Sequence, residues 1–127
     1  MRGTVDDVLV IVDGANVVGS VPDGWWRDRL GAARRLRDAL APVPVAGLPG
    51  VDGPVEVVLV VEGAARPLAC EQAPEGLRVV AATGSGDDTI AGLAGEDCVV
   101  VTSDRGLRDR VLAVGAQVVG PRTLPYP

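Results

Sequence analysis

Acidic side chains follow four apolar stretches of this sequence, each at the point where the apolar run stops. Carboxylate oxygens are hard ligands that suit Mg²⁺ or Mn²⁺, which usually keep several waters and accept phosphate oxygens as further ligands. Several carboxylates held close together repel one another unless a cation is present. The acids therefore predict a divalent-metal site that can take a phosphate group. They are Asp13, Glu62, Asp87, Asp88 and Asp104.

The composition excludes several other kinds of catalytic site. There is no histidine, which excludes a Ser-His-Asp triad, a histidine zinc site and an imidazole base. All 12 basic residues are arginine, so there is no phosphate-loop lysine and no Schiff base. Because a carboxylate of ordinary pKa is a weak base near neutral pH, catalysis by this chain predicts a metal ion. The net charge of -5 argues against a surface that coats a polyanion, but it permits an acidic metal pocket beside local arginines.

The apolar stretches predict the strands of a parallel sheet. Residues 8–12 are five apolar residues in a row, a pattern typical of a strand buried on both faces. Cys98 begins another such run and is expected in the core. The further strands are expected at 55–61, 77–82, 98–102 and 117–119.

Helical or helix-sized segments alternate with these strands. The amphipathic segment 25–40 predicts a helix that Asp23 helps to cap and whose apolar stripe includes Trp26. Shorter helices are expected within 64–76, 87–94 and 105–114, an irregular loop at 41–54, a turn-rich segment at 16–24 and a loosely packed tail at 121–127. Handedness and adjacency then favour a mostly parallel three-layer α/β/α sandwich, forming one domain over 1–127.

In a parallel sheet the predicted acids meet at one edge. Neighbouring strands lie about 4.8 Å apart, and ligands bind in the crevice outside the carboxyl ends of the strands. Each acid also has a simpler interpretation. Asp13 with Gly14 fits a hairpin turn, Asp87, Asp88 and Asp104 fit helix caps, and Glu62 fits a solvated strand end. The acids taken together are more informative than any one of them alone, because helix capping does not require an acid after nearly every strand.

Several side chains are candidates for contact with a substrate at this edge. Asn16 has an amide that can orient substrate, and Ser103 has a hydroxyl that can donate to a phosphate or to the acids. Arginine can bind phosphate through two hydrogen bonds, and Arg27, Arg66 and Arg105 are expected near the crevice. Trp25 can stack on a base. With no Phe and one Tyr, sequence-specific base recognition is not expected.

The sequence predicts a soluble, cytoplasmic protein. No apolar run is long enough to span a membrane, and the first seven residues lack the apolar region of a signal peptide. The two cysteines do not form a disulfide framework or a metal-binding pair.

Three motifs together resemble the NYN family of PIN-like ribonucleases. They are Val-Asp-Gly-Ala-Asn at 12–16, Gly-Ser-Gly-Asp-Asp-Thr-Ile at 84–90 and Val-Val-Thr-Ser-Asp-Arg-Gly-Leu at 100–107. The resemblance implies a PIN-like α/β/α fold and Mg²⁺- or Mn²⁺-dependent hydrolysis of RNA phosphodiesters. It matches Asp13, Asp88 and Asp104 to the family's metal-binding acids, with Asp87 as a neighbour or replacement and Asn16 in support. It does not assign Glu62 firmly.

The mechanism that follows from the resemblance is hydrolysis by a water that the bound ion acidifies. The expected substrate is single-stranded RNA, with the ribosome as a candidate partner. Two alternatives remain open. One is a PIN-like module without catalysis that binds RNA, a ribosome or a protein. The other is a metal-dependent phosphatase or nucleotide hydrolase, although the Asp-x-Asp signature of one large phosphatase class is missing because position 15 is alanine.

Overall fold

The structure is a computed structural model that describes residues 8–127. In chain order its strands are β1 (Leu9–Asp13), β2 (Gly47–Leu48), β3 (Val51–Asp52), β4 (Glu56–Val61), β5 (Leu77–Ala81), β6 (Cys98–Val101) and β7 (Gln117–Val119). The prediction that no signal peptide is present concerns residues 1–7, which lie outside the described residues.

The five longer strands form one sheet in the order β5-β4-β1-β6-β7, and every neighbouring pair is parallel. β1 lies at the centre, between β4 and β6. Asp13, the last residue of β1, is in register with Val60 of β4. The fold is therefore the mostly parallel α/β sheet that the sequence predicted. The carboxyl ends of its central strands share one edge of the sheet, the carboxyl edge.

Helices and short 3₁₀ segments connect the strands. The helices are α1 (Gly14–Gly19), α2 (Arg29–Ala39), α3 (Val43–Ala46), α4 (Gly86–Leu93) and α5 (Arg105–Ala113). The 3₁₀ segments are Trp25–Arg27, Gly63–Cys70 and Pro121–Thr123.

Alternate residues of the central strand face two separate apolar layers. Val10 and Val12 pack on one face of the sheet with residues of α1, α2 and the segment Gly63–Cys70. Ile11 packs on the other face with Ile90 of α4 and residues of α5. Both layers are built on buried side chains, so the sheet has helices on both faces and the molecule has the predicted three layers.

Four local predictions were wrong. The turn-rich segment contains α1, which begins directly after β1. The predicted helix 25–40 is a 3₁₀ turn followed by α2, and Asp28 rather than Asp23 caps it by accepting a hydrogen bond from the Gly31 N–H at 2.9 Å. The loop 41–54 contains α3 and a small antiparallel hairpin of β2 and β3. The tail is packed, since Leu124 is buried in the core.

The prediction that Trp26 belongs to the core was wrong. Trp26, expected in the core, is 54 % exposed. Trp25, the candidate for stacking on a base, is partly buried against the core. The cause is the 3₁₀ turn, which changes the angular position of both side chains relative to the α-helix that the spacing predicted. Cys98 is buried as expected.

Among residues 8–127, no helix is both long enough and apolar enough to cross a membrane.

Candidate active site at the carboxyl edge

Asp13 is the buried acid of the carboxyl edge. It is 4 % exposed, and it and Thr102 are the buried polar residues of the described chain. Thr102 Oγ1 donates a 2.8 Å hydrogen bond to Asp13 Oδ2, and the Asn16 N–H donates one of 3.4 Å to Oδ1. The second bond makes Asp13 the N-cap of α1. Asp13 therefore has a structural role in addition to any chemical one.

Burial raises the pKa of Asp13 to about 6, because the ionised carboxylate loses contact with water. The hydrogen bonds from Thr102 and Asn16 act in the opposite direction by stabilising the charged form. The negative charges of Asp87 and Glu62 raise the pKa further. A buried carboxyl group that changes its charge near neutral pH is typical of functional sites.

Thr102 and Asn16 connect β1 to the loop that follows β6. The Thr102 hydroxyl accepts a 3.1 Å hydrogen bond from the Asp104 N–H while it donates to Asp13. Asn16 Oδ1 accepts hydrogen bonds from the Ser103 N–H at 2.8 Å and from the Ser103 hydroxyl at 2.9 Å. The two residues predicted to contact substrate, Asn16 and Ser103, thus bind each other. These bonds hold the starts of α1 and α5 together.

Asp104 and Asp87 lie at the starts of two helices, and their charges interact. Asp104 Oδ1 accepts a 2.9 Å hydrogen bond from the Leu107 N–H and is the N-cap of α5. Desolvation by burial, and then the charge of Asp104, raise the pKa of Asp87. Since Asp87 in turn raises the pKa of Asp13, Asp87 is the acid whose charge interacts with both of the others.

Asp88 is directed to a different neighbour. Its side chain is 76 % exposed, and Oδ1 lies 3.0 Å from Nη1 of Arg110 on α5. Consecutive residues of a helix point about 100° apart, so Asp87 and Asp88 cannot both face the same point from the first turn of α4. Asp87 is the member whose charge acts on Asp13. The predicted metal-binding role of Asp88 stays a prediction.

Glu62 follows β4 and extends the acidic edge. Its Oε1 accepts a 3.2 Å hydrogen bond from the N–H of Gly86, the first residue of α4. A Cβ atom at position 86 would lie 2.7 Å from that oxygen, so glycine permits the contact. The sequence left the role of Glu62 open. In the structure Glu62 holds the start of α4 and contributes charge near Asp13.

The three arginines predicted to bind substrate are all exposed. Arg105 is the first residue of α5, and Arg66 lies in the 3₁₀ segment after β4. The guanidinium carbon of Arg27 lies 5.7 Å from the ring centroid of Trp26. The sequence did not single out Arg29, whose guanidinium carbon lies 5.1 Å from the ring centroid of Trp25.

A pocket of about 130 Å³ opens beside the acidic edge. Gly14 and Ala15, which directly follow Asp13, form part of its wall. Trp25, Arg29 and Glu62 line it as well. Sequence patterns gave no indication of this pocket, because its lining comes from four separate segments. The remaining lining is small and mostly apolar: Val18, Ala33, Val61, Gly63 and Ala65.

The donors at the carboxyl edge fit a hard divalent cation in chemical type. They are carboxylate, hydroxyl and amide oxygens, and Mg²⁺ commonly binds through one or two carboxylates while keeping several waters. No group of three acidic or cysteine side chains in residues 8–127 is close enough together to hold an ion unaided. A bound ion would therefore retain water or phosphate oxygens among its ligands.

A solved structure shares this fold. The chain is similar to the crystal structure of the W164L mutant of Rae1 (YacP) from Bacillus subtilis, with a TM-score of 0.68. The two sequences are 18 % identical, and the match covers 91 % of this chain and 71 % of the Rae1 chain. At this identity the likeness shows the fold alone. No protein-family model and no curated protein matches the sequence.

Proposed function

We propose that this protein is a metal-dependent endoribonuclease of the NYN type that hydrolyses phosphodiester bonds of single-stranded RNA. The observation that carries the proposal is the placement of three acids at the carboxyl edge: the Thr102 hydroxyl bonds both Asp13 and the Asp104 N–H, and the charge of Asp87 acts on Asp13. Carboxylates near one another repel unless a cation is present, so an acidic cluster around the buried Asp13 favours a cation-dependent role over capping alone. The Rae1-like fold and the three family-like motifs support the same function.

Within the proposed site, Asp13, Asp87 and Asp104 would hold Mg²⁺ or Mn²⁺. The ion would supply positive charge for the leaving oxygen and would make a water sufficiently acidic to attack phosphorus. Thr102 fixes one oxygen of Asp13 by its 2.8 Å hydrogen bond. Asn16 acts as a positioning residue, because its bonds to Ser103 keep α1 and α5 at a fixed separation. Arg105 and Arg66 are the proposed phosphate contacts.

One observation favours a second candidate, a module of the same fold that binds RNA, a ribosome or a protein without cutting. Residues 8–127 hold no ready three-acid group, and Asp88, which the family resemblance matches to a ligand, is paired with Arg110. This candidate predicts RNA binding that is independent of divalent metal.

The test is cleavage of a labelled single-stranded RNA with Mn²⁺ or Mg²⁺, run beside Asp13→Asn and Asp104→Asn. The proposal expects cutting by the wild type and a loss of about 100-fold or more in each variant, since even partners of metal ligands typically contribute 10–100-fold. A small phosphomonoester should remain intact under the same conditions. Cutting at the wild-type rate by both variants would exclude this site. Hydrolysis of the phosphomonoester but not of the RNA would indicate a phosphatase.

A further inference from the structure

The pocket beside Asp13 has the features of a site for one nucleobase. It combines an indole ring, a guanidinium group and a carboxylate with small apolar side chains. From this combination we infer that the pocket binds a single-ring base of the RNA strand, cytosine in preference to uracil. The inference deepens the proposed ribonuclease function and rests on it for the identity of the strand.

The size of the pocket favours one ring over two. Its volume is about 130 Å³, whereas an apolar cavity of about 150 Å³ is filled by a benzene-sized ring. Typical sites for drug-sized ligands start at about 300 Å³. A pyrimidine fits such a space, and the second ring of a purine does not. Ala33 and Ala65 are buried residues of the pocket lining.

Trp25 and Arg29 supply flat surfaces for stacking. Unpaired RNA bases stack on aromatic rings and on the planes of arginine guanidinium groups. The Arg29 guanidinium carbon lies 5.1 Å from the Trp25 ring centroid, and both side chains line the pocket. Arg29 also carries the positive charge that a nucleotide phosphate requires.

Glu62 supplies the preference for cytosine. A carboxylate accepts a hydrogen bond from the N4 amino group of cytosine, whereas uracil presents an acceptor oxygen at that position. Glu62 Oε1 accepts from the Gly86 N–H, and Oε2 is the oxygen assigned to the base. Gly14 and Ala15, which directly follow Asp13, also line the pocket, so the proposed base lies next to the segment that begins at Asp13.

Nucleotide binding can be measured by tryptophan fluorescence, since the chain has two tryptophans. In the Trp26→Phe variant Trp25 is the reporter, and cytidine, uridine and adenosine 5′-monophosphates are titrated in EDTA. Cytidine monophosphate should quench the signal with a Kd at least about tenfold lower than either other nucleotide. No quenching, or equal affinity for all three, would overturn the inference.

Matched variants test whether the fluorescence change comes from nucleotide bound in the pocket. The Trp25→Phe variant keeps Trp26, which is exposed and does not line the pocket, so its signal should not respond to cytidine monophosphate. In the Trp26→Phe background, Arg29→Ala should weaken binding about tenfold or more. The control Arg78→Ala changes an exposed residue of β5 that does not line the pocket, and it should leave binding unchanged. Glu62→Gln should bring the affinities for cytidine and uridine monophosphates within about threefold of each other. Equal effects of the two arginine variants would place the nucleotide elsewhere.

The two proposals fail in different ways. Cleavage of RNA without preference for cytosine at the cut would overturn the pocket inference and leave the ribonuclease intact. Selective binding of cytidine monophosphate by a protein that never cuts RNA would support the pocket and overturn the ribonuclease.

Discussion

Asp13 is the residue that links the proposed chemistry to the stability of the fold. It is buried, it caps α1, and burial raises its pKa to about 6. In the unfolded chain its pKa lies near 3.8. The folded state therefore binds more protons than the unfolded state between these two values, and folding is favoured by acid through this residue. The stabilisation is complete below about pH 3.8 and is lost as the pH rises through 6.

This linkage predicts the pH dependence of stability without metal. In EDTA, raising the pH from 5 to 8 should lower the free energy of unfolding by about 1 kcal/mol through Asp13. Asp13→Asn should remove that part of the slope, because the amide does not titrate. The measurement is urea denaturation at several pH values. Asp88→Asn, an exposed surface change, serves as control and should keep the wild-type slope; an unchanged slope in Asp13→Asn would contradict the assignment.

Asp87 and Asp88 provide a second comparison at the scale of single residues. Asp87 interacts with the charges of Asp13 and Asp104, whereas Asp88 binds Arg110. Asp87→Asn should therefore reduce RNA cleavage by about 100-fold or more, and Asp88→Asn should reduce it less than about tenfold. Cleavage rates at saturating Mn²⁺ decide between them. The reverse order would restore the role that the family resemblance gives to Asp88.

The sequence alone could not choose between these two acids. Adjacent residues at the start of a helix differ in direction by about 100°, and their direction depends on where the helix begins. That start is fixed by Ser85, whose hydroxyl accepts a 3.3 Å hydrogen bond from the Asp88 N–H, and by Glu62, which binds the Gly86 N–H. The second contact spans 24 residues of chain, so no local pattern contains it.

At the scale of elements, the strands were predictable and the first helix was not. The strands are runs of β-branched residues, and a strand buried on both faces leaves that signature in the sequence. The six residues of α1 have glycine at both ends and too few turns to show a helical period. This helix depends on its cap and on packing. The Asp13 side chain accepts a hydrogen bond from the Asn16 N–H, and the side chains of Val17 and Val18 are buried. Tertiary contacts decide such elements.

Close packing of α1 on the sheet gives a prediction for Gly14. A Cβ atom there would lie 2.5 Å from the backbone oxygen of Val60, which cannot move without disturbing β4. Gly14→Ala should destabilise the fold by about 1–3 kcal/mol. Gly92→Ala on α4 is the matched control: a Cβ at that position meets no atom within 4 Å, and alanine there should stabilise the helix by up to about 1 kcal/mol. Thermal denaturation measures both, and a neutral Gly14→Ala would contradict the packing.

At the scale of the whole molecule, the sequence predicted the layers and the edge but not how the site is connected. Alternating strands and helices allow few topologies, and the observed sheet is the parallel one that those rules favour. The pocket lined by Trp25 and Arg29 was not predicted. It requires the 3₁₀ turn at Trp25–Arg27, α2 and the end of β4 to meet, and the spacing of apolar residues does not encode that meeting.

The central claim is that the carboxyl edge gathers acids to bind a divalent cation. The most direct measurement is the melting temperature with and without 1 mM Mn²⁺, for the wild type, Asp13→Asn and Asp87→Asn. If Mn²⁺ binds the folded state with a Kd of about one-tenth of that concentration, it should raise the wild-type melting temperature by about 5 °C. Both variants should lose most of the rise, and Asp88→Asn should keep it. A wild-type melting temperature unaffected by Mn²⁺ would contradict the metal site and leave a fold that binds RNA without cutting it.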